Sequence, residues 1–416
     1  MSTTTEPPPA APPPSPPPVP AAGPSPVEHR GGRWYDGALL TFLSLVLALL
    51  VGAVLIAVSD EEVRAASSYF FARPGDMLSA IVQSIAQAYA ALFRGALLDT
   101  RADSFAAMFA PIADSLLFAT PLIAGGLAVA LPFRAGMFNI GAEGQITLAA
   151  VGAAYVGFAI NLPPVIHVIA AVLAGIVFGA IWGGIPGLLK AATGAHEVIT
   201  TIMLNYVARF GLLYILSTEA FLRPGRVDPI SPGILDTAVL PRFFSGSTLN
   251  VGLLLALAAA VFTWWLLARS TIGFRFRAVG ANPDAARTAG ISVPRAYVGV
   301  MLVAGGLAGI AGVGQVLGSE RVLTQGISAG LGFDAITVAL LGRANPWGVV
   351  GAGLLFGALQ AGSITMQAQT GTSLDIVTVV QALIVLFIAA PALIRAVFRL
   401  QTTGGGIGQL SKGWNG

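Results

Sequence analysis

The run Gly144–Leu189, GQITLAAVGAAYVGFAINLPPVIHVIAAVLAGIVFGAIWGGIPGLL, decides the fold class because it contains no Asp, Glu, Lys or Arg. About 20 apolar residues cross a bilayer once as a helix, so the run is long enough for two crossings. The sequence Asn161-Leu162-Pro163-Pro164 supplies the break between them, since proline ends one helix and suits the first turn of the next. The stretch therefore predicts two membrane helices joined by a short turn.

Similar runs occur on both sides of this stretch. Only 10% of the 416 residues are charged and 55% are hydrophobic, with a mean hydropathy of +0.81, whereas a soluble domain carries about 25% charged residues. We therefore predict an all-α polytopic membrane protein with about ten transmembrane helices and short re-entrant or broken elements. The other predicted spans are Gly37–Ser59, Ser115–Phe133, Glu197–Leu216, Phe243–Ala268, Ala296–Ser319, Ala344–Leu374 and Ile376–Ile394, together with the short element Gly326–Gly342.

The charged residues predict how these spans are oriented and where the domain ends. Basic residues are favoured in short cytosolic loops, and the strongest such loop, 269–295, contains several arginines and Asp284 as its only acid. This places both termini in the cytosol and segments 58–107 and 218–247 outside, in a plasma or inner membrane. Residues 76–98 form a helical pattern interrupted by polar side chains and are predicted as an external interfacial helix. Residues 1–35 are predicted as a disordered, Pro/Ala-rich tail, 36–400 as the transmembrane domain, and 401–416 as a C-terminal tail.

Several classes of protein are excluded by what the sequence lacks. The absence of cysteine excludes disulfides and thiolate zinc sites. Lys190 and Lys412 are the only lysines, and neither lies in a phosphate-binding G-K-[ST] loop. There is no HExxH, and no GxSxG with suitable partners. We therefore expect no ATP hydrolysis and no other enzymatic activity from this chain, with no catalytic residue, no metal ligand, no bound cofactor and no nucleic-acid partner.

Two polar, glycine-rich elements interrupt the apolar runs. The first, Phe133–Ile146 (FRAGMFNIGAEGQI), begins a predicted span, and the second, Gly330–Phe356, includes Asp334 in the short element. Glycine lets a helix break and aim polar groups at a cavity, and one such element in each half of a transporter is typical of a substrate site. The alternative for Glu143 is that it only locks helices together.

Two further segments have polar residues whose positions suggest roles. In His196–Tyr206 (HEVITTIMLNY), capping of a helix start explains His196 and Glu197, whereas Asn205 and Tyr206 lie deeper. In Phe274–Arg295, the sequence Asn282-Pro283-Asp284 predicts the start of a short helix that Gly290 ends. A solvated basic loop is the alternative to a helix that docks on a partner.

Four motifs together resemble the nucleoside and simple-sugar permeases of the branched-chain-type ABC importer superfamily. They are FNIGAEGQ, EVITTIMLNY, AVGANPDAARTAGI and GFDAITVALLG…NPWGV, within residues 88–394. The resemblance implies an ABC importer permease fold and import of nucleosides. It also implies three protein partners besides the lipid bilayer: a second homologous permease, a cytosolic ATPase that uses the ATP, and an extracytoplasmic substrate-binding lipoprotein.

The resemblance also implies roles for individual residues. The predicted substrate path comprises Asn139, Glu143, Gln145, Asn205, Tyr206 and Asp334. The predicted ATPase-coupling helix comprises Pro283, Asp284, Ala285, Ala286, Arg287 and Gly290. Aromatic faces such as Phe138 or Tyr206 are expected near a base.

One residue departs from the family pattern, and alternative functions remain. Arg209 falls near the middle of a predicted span, where an arginine costs about 2.5–3.5 kcal/mol, so it should face the interior. The alternatives are a permease for ribose, other simple sugars or branched-chain amino acids, and an ion-coupled secondary transporter using Glu143, Asp334 and Arg209.

Overall fold

The structure is a computed structural model that describes residues 34–244 and 246–399. The chain divides into two compact units, Met1–Leu39 and Leu40–Gly416. Of the first unit, only the start of one helix is described, and the second contains the remaining helices. The predicted tails lie outside the described residues except for Trp34 and Tyr35, so their disorder stays a prediction.

The described residues are helical and contain no strand, which confirms the all-α prediction. Two isolated bridges, between Ile230 and Thr324 and between Arg242 and Asn250, are the only β-type pairs in these ranges. The helices are α1 Trp34–Ser59, α2 Glu61–Ser67, α3 Pro74–Ala96, α4 Phe105–Arg134, α5 Ala142–Ala159, α6 Pro164–Thr193, α7 Glu197–Leu216, α8 Gly252–Arg269, α9 Thr271–Ala281, α10 Pro283–Thr288, α11 Val293–Val313 with a π-helical continuation Gly314–Glu320, α12 Leu331–Leu341, α13 Pro346–Thr370, α14 Leu374–Ala389 and α15 Pro391–Val397.

Seven helices in the described part of the chain are long and apolar enough to cross a membrane. An eighth span results if α14 and α15, which are bent by 95° at their junction, count as one. The prediction of about ten spans exceeds this number for a physical reason. The helix α5 is not among the seven, and Glu143 and Gln145 lie in its first turn, whereas α12 has only 11 residues. The predicted short element Gly326–Gly342 contains α12, whereas the predicted span Ile376–Ile394 is bent at the junction of α14 and α15, a break that the sequence did not predict.

The predicted break at 161–164 is confirmed, since α5 ends at Ala159 and α6 begins at Pro164. The helices α6 and α11 pack closely against each other through glycine residues. A Cβ added at Gly305 of α11 would lie 2.2 Å from the carbonyl oxygen of Gly179 in α6. Small residues allow this approach, which is how helices associate in lipid. The helix α4 lies at the centre of the bundle, with every residue from Ala119 to Pro132 buried.

The helix α3 forms where the sequence predicted a polar-interrupted helix, and one face of it is packed. Ala88 and Ala91 are fully buried, and Gly362 of α13 approaches the carbonyl oxygen of Leu92 closely. Arg94 donates a 2.6 Å hydrogen bond to Gln369 at the end of α13. The helix therefore packs along α13, a contact that the prediction of an external interfacial helix did not include.

The helices have two distinct ends. At the first, called the basic end, Arg134 donates to the carbonyl oxygen of Ala344, and Gly280 of α9 packs on the backbone of Arg134 and Ala135. At the second, called the loop end, the segment 217–251 is held to residues 321–324, for example by the 3.0 Å hydrogen bond from Ser231 N–H to Leu323. The predicted external segment 218–247 thus lies at the loop end and the arginine Arg134 at the basic end, whereas α3, within the predicted external segment 58–107, packs along α13.

Candidate functional site

The two broken elements meet at the carboxylate of Glu143. It accepts hydrogen bonds from the Ser328 hydroxyl at 2.6 Å, from Gly330 N–H at 3.1 Å and from Gly332 N–H at 2.7 Å. Gly330 and Gly332 lie at the start of α12, so Glu143 supplies the acceptor that the first turn of a helix otherwise lacks. One residue of α5 therefore fixes where and in which direction α12 begins.

Glycine is required for this junction. A Cβ added at Gly332 would lie 2.1 Å from the backbone nitrogen of Glu143, too close for any side chain. Gly330 has a φ of +82°, a left-handed conformation that glycine adopts without strain. The preceding Ala329 is also left-handed, with a φ of +45°, which is uncommon for a residue with a Cβ. The glycine-rich pattern thus permits the backbone of α12 to touch that of α5.

The helix α7 is tied to the same junction by Asn205. Its side-chain oxygen accepts from Gly144 N–H at 2.9 Å, and its amide nitrogen donates to the carbonyl oxygen of Ile140 at 2.9 Å. Both backbone groups belong to the irregular start of α5, where intrahelical partners are missing. Asn205 therefore holds α7 against the beginning of α5.

A cavity of about 610 Å³ lies between α5, α7 and the segment leading into α12. Of the residues predicted for the substrate path, Glu143, Asn205 and Tyr206 line this cavity, and Arg209 lines it as well. Its other lining residues are Ile140, Thr147, Ile202, Gln325, Gly326, Ser328, Ala329, Gly330 and Phe333. The volume is in the range of small-molecule sites, and the lining combines aromatic and aliphatic surface with a few polar groups.

Asn139, Gln145 and Asp334, also predicted to be in or near the path, are not among the lining residues. The side-chain amides of Asn139 and Gln145 are buried and pair reciprocally at 3.0 Å in both directions. Asn139 also donates to Ala128 and accepts from Gly141 N–H, so this pair stabilises the bend before α5. Asp334 is partly buried one turn into α12, directly after the cavity residue Phe333.

Of the two aromatic residues named in the prediction, one lines the cavity and the other does not. Tyr206 exposes 54% of its surface and lines the cavity. Phe138 instead packs edge-on against Phe133, with ring centroids 4.9 Å apart, and is absent from the lining. Of the two aromatic faces expected near a base, Tyr206 is the one that the cavity contains.

Other lining residues escaped sequence reasoning. Gly326–Gly330 has the sequence GISAG, the pattern of a strand-to-helix nucleophile elbow. Here Ser328 donates to Glu143, the segment leads from a π-helical turn into α12, and none of the described lining residues is a histidine. A glycine-flanked serine just before a short apolar helix is a helix-start signal, and that signal could have identified Ser328.

The predicted coupling segment forms the short helix α10, Pro283–Thr288. The Asn282 side chain caps it by accepting from Asp284 and Ala285 N–H, each at 3.0 Å. Ala286 is buried in the core, whereas the other five predicted coupling residues are exposed. The loop 269–295 is therefore largely helical, since α9 fills its first half, and α10 presents most of its surface outward at the basic end.

The acid at the start of α7 forms an ion pair that the sequence did not predict. His196 occupies the capping position, but its side chain makes no capping hydrogen bond. Glu197 pairs with Lys190 of α6 at 2.5 Å, and the Lys190 ammonium also lies 5.2 Å from the ring centroid of Tyr297 in α11. The predicted capping role of His196 is thus replaced by an ion pair that connects three helices at the basic end.

Comparison with known proteins gives matches over most of the chain. Residues 112–389 match the family described as "Branched-chain amino acid transport system / permease component". A guanosine ABC transporter permease protein of Bacillus subtilis is 36% identical over 86% of this chain and 95% of its own length. A nucleoside ABC transporter permease protein of Lactococcus lactis is 36% identical over 69% of this chain and 81% of its own.

A third relative, a glucose ABC transporter permease protein of Haloferax volcanii, is 37% identical over 67% of this chain and 75% of its own length. No solved structure was found to match the chain. The family match covers the cavity, α10 and all the motifs on which the resemblance was based, and so confirms that resemblance. The chain therefore belongs to the family of branched-chain amino acid transport system permease components, and is a membrane-spanning ABC transporter subunit rather than an enzyme.

Proposed function

We propose that this protein is the permease subunit of an ABC importer that moves nucleosides into the cell. The observation on which this rests is the cavity at the Glu143 junction, where two broken elements and α7 converge on a space of about 610 Å³. Irregular backbone at membrane depth is tolerated where it lines a cavity or is buried in protein. The cavity is therefore the part of the protein suited to hold a small polar solute.

The chemistry of the lining supports a nucleoside as that solute. A nucleoside is neutral and needs hydrogen-bonding partners for its sugar and an aromatic surface for its base. Gln325 supplies a polar group, whereas Tyr206 and Phe333 expose ring surface. The printed names of the guanosine and nucleoside relatives favour the same substrate class.

A simple sugar is the second candidate, favoured by the glucose permease relative. A sugar would use the polar groups but would leave the exposed Tyr206 and Phe333 rings with less to contact. The comparison of nucleoside with ribose uptake separates the two, because ribose lacks the base.

A second permease subunit is proposed to pack on α7. The exposed residues Ile199, Met203, Tyr206, Phe210 and Tyr214 follow one another at helical spacing along one side of this helix. Arg209 is exposed on the same helix, and an arginine facing lipid near mid-membrane would cost several kcal/mol, about 2.5–3.5 on insertion scales. A partner that encloses a wet path beside Arg209 removes that cost.

The proposed energy source is a separate ATPase that docks at α10. A helix that is exposed on most sides but anchored by the buried Ala286 can transmit a movement of the ATPase to the helix bundle. The route inward is short, since α9 packs on Arg134 and Ala135, which lead directly to Asn139 and Glu143. The basic end would then be cytosolic, as its arginines indicate, and the loop end would receive an extracytoplasmic binding protein.

The test is uptake of labelled guanosine, adenosine, uridine, ribose and leucine by cells with and without this gene. Energy-dependent loss of nucleoside uptake alone is the expected result. Selective loss of ribose uptake would favour the sugar permease, and selective loss of leucine uptake would favour an amino acid permease. Unchanged uptake of all five would contradict the proposal.

A further inference from the structure

Among the described residues, Arg209 is the one basic side chain in the cavity lining. It lies about 18 Å along the axis from the start of α7 at a rise of 1.5 Å per residue, well inside a 20-residue membrane helix. Within the described ranges it has neither an ion pair nor a hydrogen bond, so its five N–H donors are available. A charged group placed at this depth without a protein partner points to a ligand that supplies the acceptors.

The nearby acid is already engaged. Glu143 lines the same cavity, but its carboxylate accepts from Ser328, Gly330 and Gly332 at the start of α12. Asn205, one turn before Arg209, likewise uses both ends of its amide on the backbone of Gly144 and Ile140. The side chains of Glu143 and Asn205 therefore stabilise the protein, and the Arg209 guanidinium remains available to the substrate.

The residues around Arg209 indicate which chemical groups that substrate carries. Tyr206 lies three residues earlier, which places it on the same side of α7, and it exposes 54% of its surface. Phe333, exposed at 52%, lines the cavity from α12. A flat, aromatic ligand can stack on either ring while its edge reaches the guanidinium, which is a planar fork suited to two adjacent acceptors.

We propose that Arg209 makes this cavity selective for 6-oxopurine nucleosides, with the guanidinium donating two hydrogen bonds to O6 and N7 of the base while the base stacks on Tyr206 or Phe333. This inference rests on the proposed nucleoside transport and names the substrate class within it. A bidentate pair from arginine or lysine to O6 and N7 of guanine is the commonest specific contact between proteins and DNA bases. Hypoxanthine presents the same two acceptors.

The same geometry disfavours the other bases. Adenine places an amino donor where guanine has O6, so one guanidinium N–H would face another donor. Pyrimidines have no N7, and on that edge uracil offers only the O4 acceptor, whereas cytosine offers an amino donor. A bidentate pair discriminates by about 1–3 kcal/mol, which corresponds to a preference of about 5- to 150-fold.

The test uses the complete transporter in proteoliposomes, with ATP inside and the binding protein saturated with one nucleoside at a time. Initial rates are measured for guanosine, inosine, adenosine and uridine with the wild type, Arg209→Met and Arg209→Gln. Because the binding protein is the same throughout, its own preference cancels when each variant is divided by the wild type. Arg209 is exposed in this chain, so replacing it removes no core packing.

Arg209→Met is expected to slow guanosine and inosine about 5- to 150-fold more than adenosine and uridine. Arg209→Gln is expected to raise the adenosine-to-guanosine rate ratio above that of Arg209→Met, since glutamine pairs with N6 and N7 of adenine. Equal slowing of all four nucleosides by Arg209→Met, or none, would overturn the inference while leaving nucleoside transport intact. A wild type that moves none of the four would instead refute the proposed function itself.

Discussion

The Glu143 carboxylate accepts a 2.7 Å hydrogen bond from the N–H of Gly332, and this contact joins the start of α5 to the start of α12. The pair is specific because Gly332 leaves no space for a side chain next to the Glu143 backbone. Both readings of Glu143 from the sequence are thus compatible, since the same side chain locks two helices and lines the cavity. Removing the charge tests how much each helix start depends on it.

Glu143→Gln is expected to lower the free energy of unfolding by about 1–3 kcal/mol, because a buried donor left without an acceptor costs that much. The amide keeps one acceptor oxygen and loses the charge that favours a helix N-terminus. Thermal unfolding of the purified protein in detergent measures the change. Ser328→Ala is the control, since it removes one of the three donors and keeps the charge. An effect of Ser328→Ala as large as that of Glu143→Gln would contradict the importance of the charge.

Tyr206→Leu is expected to reduce nucleoside uptake about 5- to 150-fold at limiting substrate, because aromatic stacking on a base contributes about 1–3 kcal/mol. The matched control is Tyr214→Leu, two turns further along α7 and 73% exposed but outside the cavity. Uptake of labelled nucleoside at several concentrations separates loss of affinity from loss of assembled transporter. Equal losses in both variants would assign Tyr206 to the surface of α7 rather than to the cavity.

The sequence predicted helices better than it predicted the contacts between them. Glu197–Leu216 has the predicted bounds because its first acid and its apolar length are local features. The predicted span at Phe243 begins only at Gly252, since the chain turns back before it. Val251 N–H donates to the carbonyl oxygen of Pro241, and Gly252 N–H donates to the side-chain oxygen of Asn250. Hydropathy alone did not predict this turn.

The contacts between side chains in the candidate site could not be predicted from the sequence either. Asn139, Gln145 and Asn205 have the same polar character in sequence, and nothing local shows that the first two pair with each other. Ser328 meets Glu143 across more than a hundred residues of chain, so only the packed structure brings them together. Arg209 stood out because a charge in an apolar run is costly, and that signal led to a lining residue.

Gly305→Ala is expected to destabilise the protein by about 1–3 kcal/mol, the usual effect of overpacking. The added methyl group would meet the carbonyl oxygen of Gly179, and backbone cannot move aside as a flexible side chain can. Gly211→Ala is the matched control, since a Cβ there would have no neighbour within 4 Å. Its expected effect is a stabilisation of roughly 0.5–1 kcal/mol from helix propensity. Similar unfolding temperatures for the two variants would contradict the tight α6–α11 contact.

Asp60 lies outside the membrane-spanning helices and makes the free energy of unfolding depend on pH. Partial burial opposes its charge, but hydrogen bonds from the Ser84 hydroxyl and from Val63 and Glu62 N–H outweigh this and hold the pKa of Asp60 below its usual value. A carboxyl with a lowered folded-state pKa stabilises the protein above its unfolded pKa, and this contribution is lost as the pH falls through the folded pKa.

The unfolding temperature of the wild type should therefore fall more steeply than that of Asp60→Asn as the pH is lowered from 7 to below 4. The asparagine cannot titrate, and its side-chain oxygen can still cap α2. Scanning calorimetry in detergent across this range compares the two slopes. Identical slopes would show that the Ser84–Asp60 contact is absent in the folded protein.

The orientation of the protein can be tested directly, because the chain contains no cysteine and any introduced thiol is unique. Ala285→Cys places the thiol on the exposed side of α10, and Val227→Cys places it in the segment 217–251, where Val227 is 99% exposed. In intact cells a membrane-impermeant maleimide should label Val227→Cys and leave Ala285→Cys unmodified. In inside-out vesicles Ala285→Cys should react, and co-expression of the ATPase should protect it, since the proposed docking covers this side of α10. Labelling of Ala285→Cys in intact cells would reverse the proposed topology, and unprotected labelling in the assembled transporter would exclude α10 as the coupling helix.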